Sequence, residues 1–119
     1  MAEHNITGRE GEEMAARYLA AKGFTILETN WRFRKLEADI IARSRELLVV
    51  VEVKTRSSRF FGDPESFVTR KKQQNLIRAA HEYIQRKELN LEVRFDIVSV
   101  MLDDESDVKH IEDAFSAVL

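Results

Sequence analysis

Cysteine is missing from this 119-residue chain. Its absence excludes disulfides, thiolate zinc sites and thiol catalysis, and it fits a reducing compartment. Proline occurs once, at Pro64, and glycine four times. No apolar run approaches the roughly 20 residues that cross a bilayer, so no membrane association is expected. The start, Met1-Ala2-Glu3-His4, lacks a basic stretch followed by apolar residues. No secretory signal is expected there, and the reading is cytoplasmic. A large charge of one sign is also lacking. The formal net charge is -2, so the body of the protein is not a general polyanion binder and any such site is a local patch. His4, His81 and His110 are scattered without metal-ligand spacing.

What is present is a core. Apolar residues make up 44% of the chain, and this length suits one domain over residues 1–119. The strongest local signal is Leu47-Leu48-Val49-Val50-Val51-Glu52-Val53-Lys54, which reads as a strand buried on both faces. Alternation puts Leu48, Val50, Glu52 and Lys54 on one face. A carboxylate and an ammonium ending such a strand lose hydration, at a cost unless they are paired or bind something.

The flanking segments supply the other elements. Thr7 and Glu10 form a capping box for a helix with Met14, Ala15, Tyr18 and Leu19 on its inner face, ended by Gly23. Phe24–Arg32 and Leu36–Arg43 read as strands around the basic turn 32–35. Ser44-Arg45-Glu46 joins the second to the Leu/Val strand, so those two pair antiparallel. Residues 55–66, with Gly62 and Pro64, read as a surface loop. A helix capped by Thr69 runs to Lys87, with Leu76, Ile77, Ala80, Tyr83 and Ile84 as its stripe. Leu91–Leu102 is a fourth strand, Asp103–Asp107 an acidic turn, and the tail from Val108 either a strand or a helical turn. The order helix, three strands, helix, strand implies an α/β fold: a mixed central sheet with a helix on each face.

Asp39 is unusual, because aspartate is a poor strand former and here it sits mid-strand among apolar neighbours. Pairing through the 44–46 turn lays Asp39 beside Glu52. At about 4 Å and an effective dielectric near 20, two such charges repel by roughly 4 kcal/mol, a large part of a domain's roughly 5–15 kcal/mol stability. Lys54 relieves some of this. A divalent cation relieves more, and carboxylate oxygens suit Mg²⁺ or Mn²⁺.

Asp39 with Glu52-Val53-Lys54 resembles the P-D-(D/E)-x-K pattern of restriction-endonuclease-like nucleases. More closely, several groups together resemble the YraN family, also called UPF0102: Gly8-x-x-Gly11-Glu12, Glu37-x-Asp39-x-Ile41-Ala42, Val51 to Arg56, Phe61-Gly62-x-Pro64, Lys72-Gln73 and Arg94-Phe95-Asp96. The likeness spans nearly the whole chain. It departs at Leu36, usually Gly in the family, and at Ala38, usually Ile. The resemblance implies the αβββαβ restriction-endonuclease-like core and a metal-dependent endonuclease acting on DNA, branched or structured DNA included. It implies Asp39 and Glu52 as metal ligands for Mg or Mn, and Glu12 as a ligand or as support. Lys54 then orients or activates water, or stabilises developing charge. A more distant likeness to archaeal Holliday-junction resolvases implies a homodimer.

Among the cations, Arg34, Lys35, Arg56, Arg59, Lys71 and Lys72 stand near the expected strand ends and are assigned to nucleic-acid contact. Phe33, Phe60 and Phe61 are interleaved with them, as stacking on unpaired bases requires. Trp31 reads as core or as an interface anchor, and Asp96 as a structural anchor. Two other readings stand beside the nuclease: a binding module that keeps the fold without turnover, and an interaction domain in which the charged trio is a structural ion cluster.

Overall fold

The computed structural model describes residues 2–56, 68–102 and 104–117. In order the elements are α1 (Ala2–Ala21), β1 (Thr25–Phe33), β2 (Leu36–Ser44), β3 (Leu47–Arg56), α2 (Arg70–Lys87), β4 (Glu92–Met101) and β5 (Asp104–Phe115). The strands form one sheet in the order β1-β2-β3-β4-β5. Only β3 and β4 pair in parallel, joined across the sheet by α2, and the other neighbours are antiparallel. This is the mixed, helix-flanked α/β sheet of the restriction-endonuclease-like core.

Why β3 is the centre follows from its side chains. Val49, Val51 and Val53 pack with Met14, Ala15 and Leu19 of α1. Leu48 and Val50 pack on the opposite face with Leu76, Ala80 and Tyr83 of α2. The strand is covered on both sides, as its unbroken apolar run predicts.

Two helix ends match their local chemistry. Gly23, at φ 100°, follows α1. Its N–H donates to Ala20 O and that of Phe24 to Leu19 O, which is a Schellman stop. At α2, the Thr69 hydroxyl accepts from the Lys72 N–H. Two expectations are corrected. Helix α1 reaches back to Ala2, past the Thr7 capping box, so Thr7 lies inside the helix. The acidic run does not form an isolated turn either. Residues 104–107 already belong to β5, whose edge position beside β4 gives its backbone a partner. The expected loop 55–66 lies largely outside the described residues, and Arg59, Phe60 and Phe61 with it.

Strand β5 is held by a buried polar knot. Asp96 is 0% exposed. Its carboxylate accepts two bonds from Arg94, at 2.9 and 2.8 Å, and one from the Asp113 N–H at 3.0 Å, and its Oδ2 lies 2.8 Å from His110 Nε2. The β4–β5 register shifts between Phe95 and Ile97, so the Asp96 side chain takes an N–H that the ladder leaves over there. His110 in turn has Nδ1 3.0 Å from Lys22 Nζ, at the end of α1. A lysine ammonium only donates, which assigns Nδ1 as acceptor and Nε2–H as donor to Asp96. Asp96 is an anchor, but of the edge strand β5 rather than of a turn or a helix. His110, in the sequence only one of three scattered histidines, is a buried part of this knot, its side chain 2% exposed.

Candidate active site

The β2–β3 ladder runs from Ser44↔Leu47 to Ile40↔Val51. Extending that register one step sets Asp39 opposite Glu52, but the ladder stops there. The Asp39 side chain does what the missing backbone partner would do: its Oδ2 accepts the Val53 N–H at 2.8 Å. An aspartate in mid-strand is therefore explained by the opening of two strands, where a carboxylate both ends the pairing and satisfies a stranded donor.

Glu52 is 4% exposed. It shares the α2 face with Leu48 and Val50, as alternation requires. Two ammonium groups meet its Oε2, Lys54 at 3.5 Å and Lys72 at 3.4 Å. The first neighbour was expected from i, i+2 spacing on a strand. The second was not: Lys72, assigned to nucleic-acid contact, comes from the first turn of α2 and also faces Glu52. Burial pulls the Lys72 ammonium down, but Glu52 and then Asp39 outweigh it and hold its pKa above the ordinary lysine value, so it stays charged.

The electrostatics of Asp39 are the sharpest feature. Its pKa is raised from 3.8 to about 7, first by burial and next by the Glu52 charge. Glu12 adds to the rise, while the Val53 N–H and Lys72 oppose it. Asp39 thus feels α1 on one side and α2 on the other.

Glu12 reaches this neighbourhood because of the residue before it. A Cβ on Gly11 would overlap the Thr55 side chain, with Thr55 Cβ only 2.9 Å away. Glycine lets α1 lie directly on the end of β3. We expect Gly11→Ala to destabilise the protein by about 1–3 kcal/mol, as overpacking does, although alanine is the better helix former by about 1 kcal/mol. Thermal melts of Gly11→Ala, Thr55→Gly and the double variant check this. Recovery in the double variant is expected; additive losses would contradict the contact.

The remaining assignments divide. Arg34 and Lys35 are exposed at the β1–β2 turn, the former with its guanidinium over Phe33 at 5.1 Å. Lys71 is exposed on α2. The Phe33 ring also carries the Arg86 guanidinium at 3.8 Å, so the β1–β2 turn lies by the last turn of α2, at the other end of the helix from Lys72. Arg56 is turned to β4, where it donates to the Ser99 hydroxyl. Trp31 packs edge-on against Tyr83 and beside the α2 cluster, as core. Arg59 lies outside the described residues.

Among the described residues, no three His, Asp or Glu side chains form a ready cage for a metal ion. Mg²⁺ does not need one, since it keeps several waters and binds through one or two carboxylates and substrate phosphates. Asp39 and Glu52 fit that donor set: both are hard oxygen ligands, and Glu52 is the largest charge acting on Asp39.

Comparison with known proteins identifies relatives along most of the chain. The model of "Uncharacterised protein family UPF0102" matches residues 11–100. The UPF0102 protein FP2501 of Flavobacterium psychrophilum is 51% identical over 97% of this chain and 98% of its own. UPF0102 proteins of Christiangramia forsetii and Flavobacterium johnsoniae are 47% and 48% identical, each over 97% of this chain and 98% of the relative.

Proposed function

From a chain that belongs to the UPF0102 family and has the restriction-endonuclease-like core, we propose a divalent-metal-dependent endonuclease that hydrolyses phosphodiester bonds in DNA. The observation that carries this reading is Asp39, half-buried beside Glu52 and acted on by charges from both helices, with its pKa raised to about 7. Such perturbed groups gather at functional sites; burial is the larger cause of the shift and the Glu52 charge the next, and a shared cation would offset both.

In this reading Asp39 and Glu52 hold Mg²⁺ or Mn²⁺, with Glu12 adding negative charge from α1. A bound ion of this kind polarises a phosphate oxygen and lowers the pKa of water. The chain's own residues do the rest. The Val53 N–H fixes the Asp39 carboxylate through a 2.8 Å bond, so that its free oxygen keeps one direction. Lys54 and Lys72 put two ammonium groups beside Glu52, where they stabilise negative charge as it develops on the phosphorus oxygens. Arg34, Lys35 and Lys71 contact flanking phosphates.

The test is cleavage of labelled duplex, single-stranded and four-way-junction DNA with Mg²⁺ or Mn²⁺. Cleavage that disappears in Glu52→Gln is expected; cleavage that survives it would refute the mechanism. The binding-module reading has one observation in its favour, the two lysine ammonium groups that meet Glu52. Salt-sensitive DNA binding with no cleavage under either metal would select it.

A further inference from the structure

Helix α2 is charged out of proportion to the chain. Arg70, Lys71, Lys72, Arg78, Arg86 and Lys87 stand against one acid, Glu82. Six cations less one acid is +5, in a chain whose total is -2. Part of this charge is offset, since Arg86 faces Glu82 at 3.2 Å, Lys72 faces Glu52 at 3.4 Å and Lys87 faces Glu28 at 4.0 Å.

Beside this helix runs a groove of about 540 Å³, lined by Leu36, Gln74, Ile77, Arg78, His81 and Glu82. Along the chain the α2 lining begins two residues after Lys72, on the other side of the helix from it, and the β2 lining lies three residues before Asp39. The Leu36 and Ile77 side chains give it half-buried apolar surface, while Gln74, Arg78 and His81 are exposed at its margin. The size lies within the roughly 300–1,000 Å³ of sites that enclose small-molecule-sized groups.

We propose that this groove receives unpaired nucleotides of a single strand leading away from the carboxylate site. The proposal rests on the nucleic-acid reading and deepens it by naming the substrate class: DNA with an unpaired segment next to the cut. The charge of α2 complements a phosphate backbone. A recess with apolar walls and an imidazole at its rim accepts a base face, which paired bases in a stacked duplex do not offer. Gln74 and His81 supply hydrogen-bonding groups for a base edge. An acidic peptide matches the cations but makes no use of a base-sized recess, so the groove favours nucleic acid.

Equilibrium binding by fluorescence anisotropy tests this, with EDTA present so that cleavage does not intrude. The probes are a blunt duplex and the same duplex bearing a five-nucleotide single-stranded flap. Wild type is expected to prefer the flapped probe on the order of tenfold, the scale of base-stacking contributions. Arg78→Glu and His81→Ala, both at exposed positions, are expected to reduce that preference to less than about twofold. Equal binding of both probes by wild type overturns the groove assignment, as does a preference unchanged in both variants. Displacement of the flapped probe by a polyglutamate peptide as effectively as by single-stranded DNA overturns it too. The catalytic reading fails separately: a flap preference that depends on Arg78, with cleavage that persists in Asp39→Asn, removes the proposed chemistry and leaves the groove standing.

Discussion

Asp39→Asn is expected to make the metal-free protein more stable at pH 8, by about 1–3 kcal/mol, while reducing metal-dependent cleavage by on the order of 10³. The two effects have one origin. With its pKa raised from 3.8 to about 7, Asp39 holds a proton more tightly in the folded chain than in the unfolded one. Stability present below about pH 4 is therefore lost as pH rises through about 7. At about 1.4 kcal/mol per pKa unit, the ceiling on that loss is ~4 kcal/mol. Asparagine keeps an oxygen for the Val53 N–H but carries no charge, so it recovers part of the loss and cannot replace the carboxylate toward a cation. Urea denaturation in EDTA checks the sign: the variant is the more stable at pH 8, and the difference fades near pH 5, where Asp39 is neutral. A variant less stable than wild type at pH 8 would contradict the electrostatic account.

Removing the fully buried aspartate, Asp96, has the opposite effect on folding. Asp96→Ala is expected to cost about 3–5 kcal/mol, the range for breaking a buried ion pair by deleting one partner. Arg94 loses a two-bond contact, His110 loses the partner of Nε2, and the Asp113 N–H is left over. For scale, an exposed pair such as Arg86–Glu82 contributes about 0–1 kcal/mol. Burial pushes the Asp96 carboxyl up, yet the bonds from His110, Arg94 and the Asp113 N–H outweigh it and hold the pKa below the ordinary value. For a group lowered in this way, the stabilisation stands above the unfolded pKa of about 4 and is lost as pH falls further. The gap between wild type and variant should be full at pH 7 and shrink in acid. Chemical denaturation at pH 7 and pH 3.5 reads it, and a variant as stable as wild type at pH 7 would remove the knot from the account.

The contrast between these two aspartates explains what could be read from the chain. Asp39 was visible because it breaks a strand pattern, and its partner Glu52 because it ends one. The period of 2 and the short 44–46 turn together dictate their approach. The inner faces of α1 and α2 followed from the 3.6-residue period for the same reason. Lys72 beside Glu52 was not legible, since the packing of a helix end on a sheet is set by tertiary contacts that no local period encodes. His110 was hidden likewise: its partners Asp96 and Lys22 lie 14 and 88 residues away. The sequence leaves β5 undecided because its half-buried positions, Val108, Ile111 and Ala114, are separated by the exposed Lys109, Glu112 and Asp113. Gly11 stood out only as part of a family motif, and its purpose appears once Thr55 is seen against it.

Calorimetric titration of Mn²⁺ into wild type, Asp39→Asn and Glu52→Gln at pH 8 reaches the central claim directly, that these two carboxylates share one cation. One site per chain in wild type, lost in both variants, is the predicted result. Mn²⁺ uptake that is undiminished when either carboxylate is replaced would contradict it.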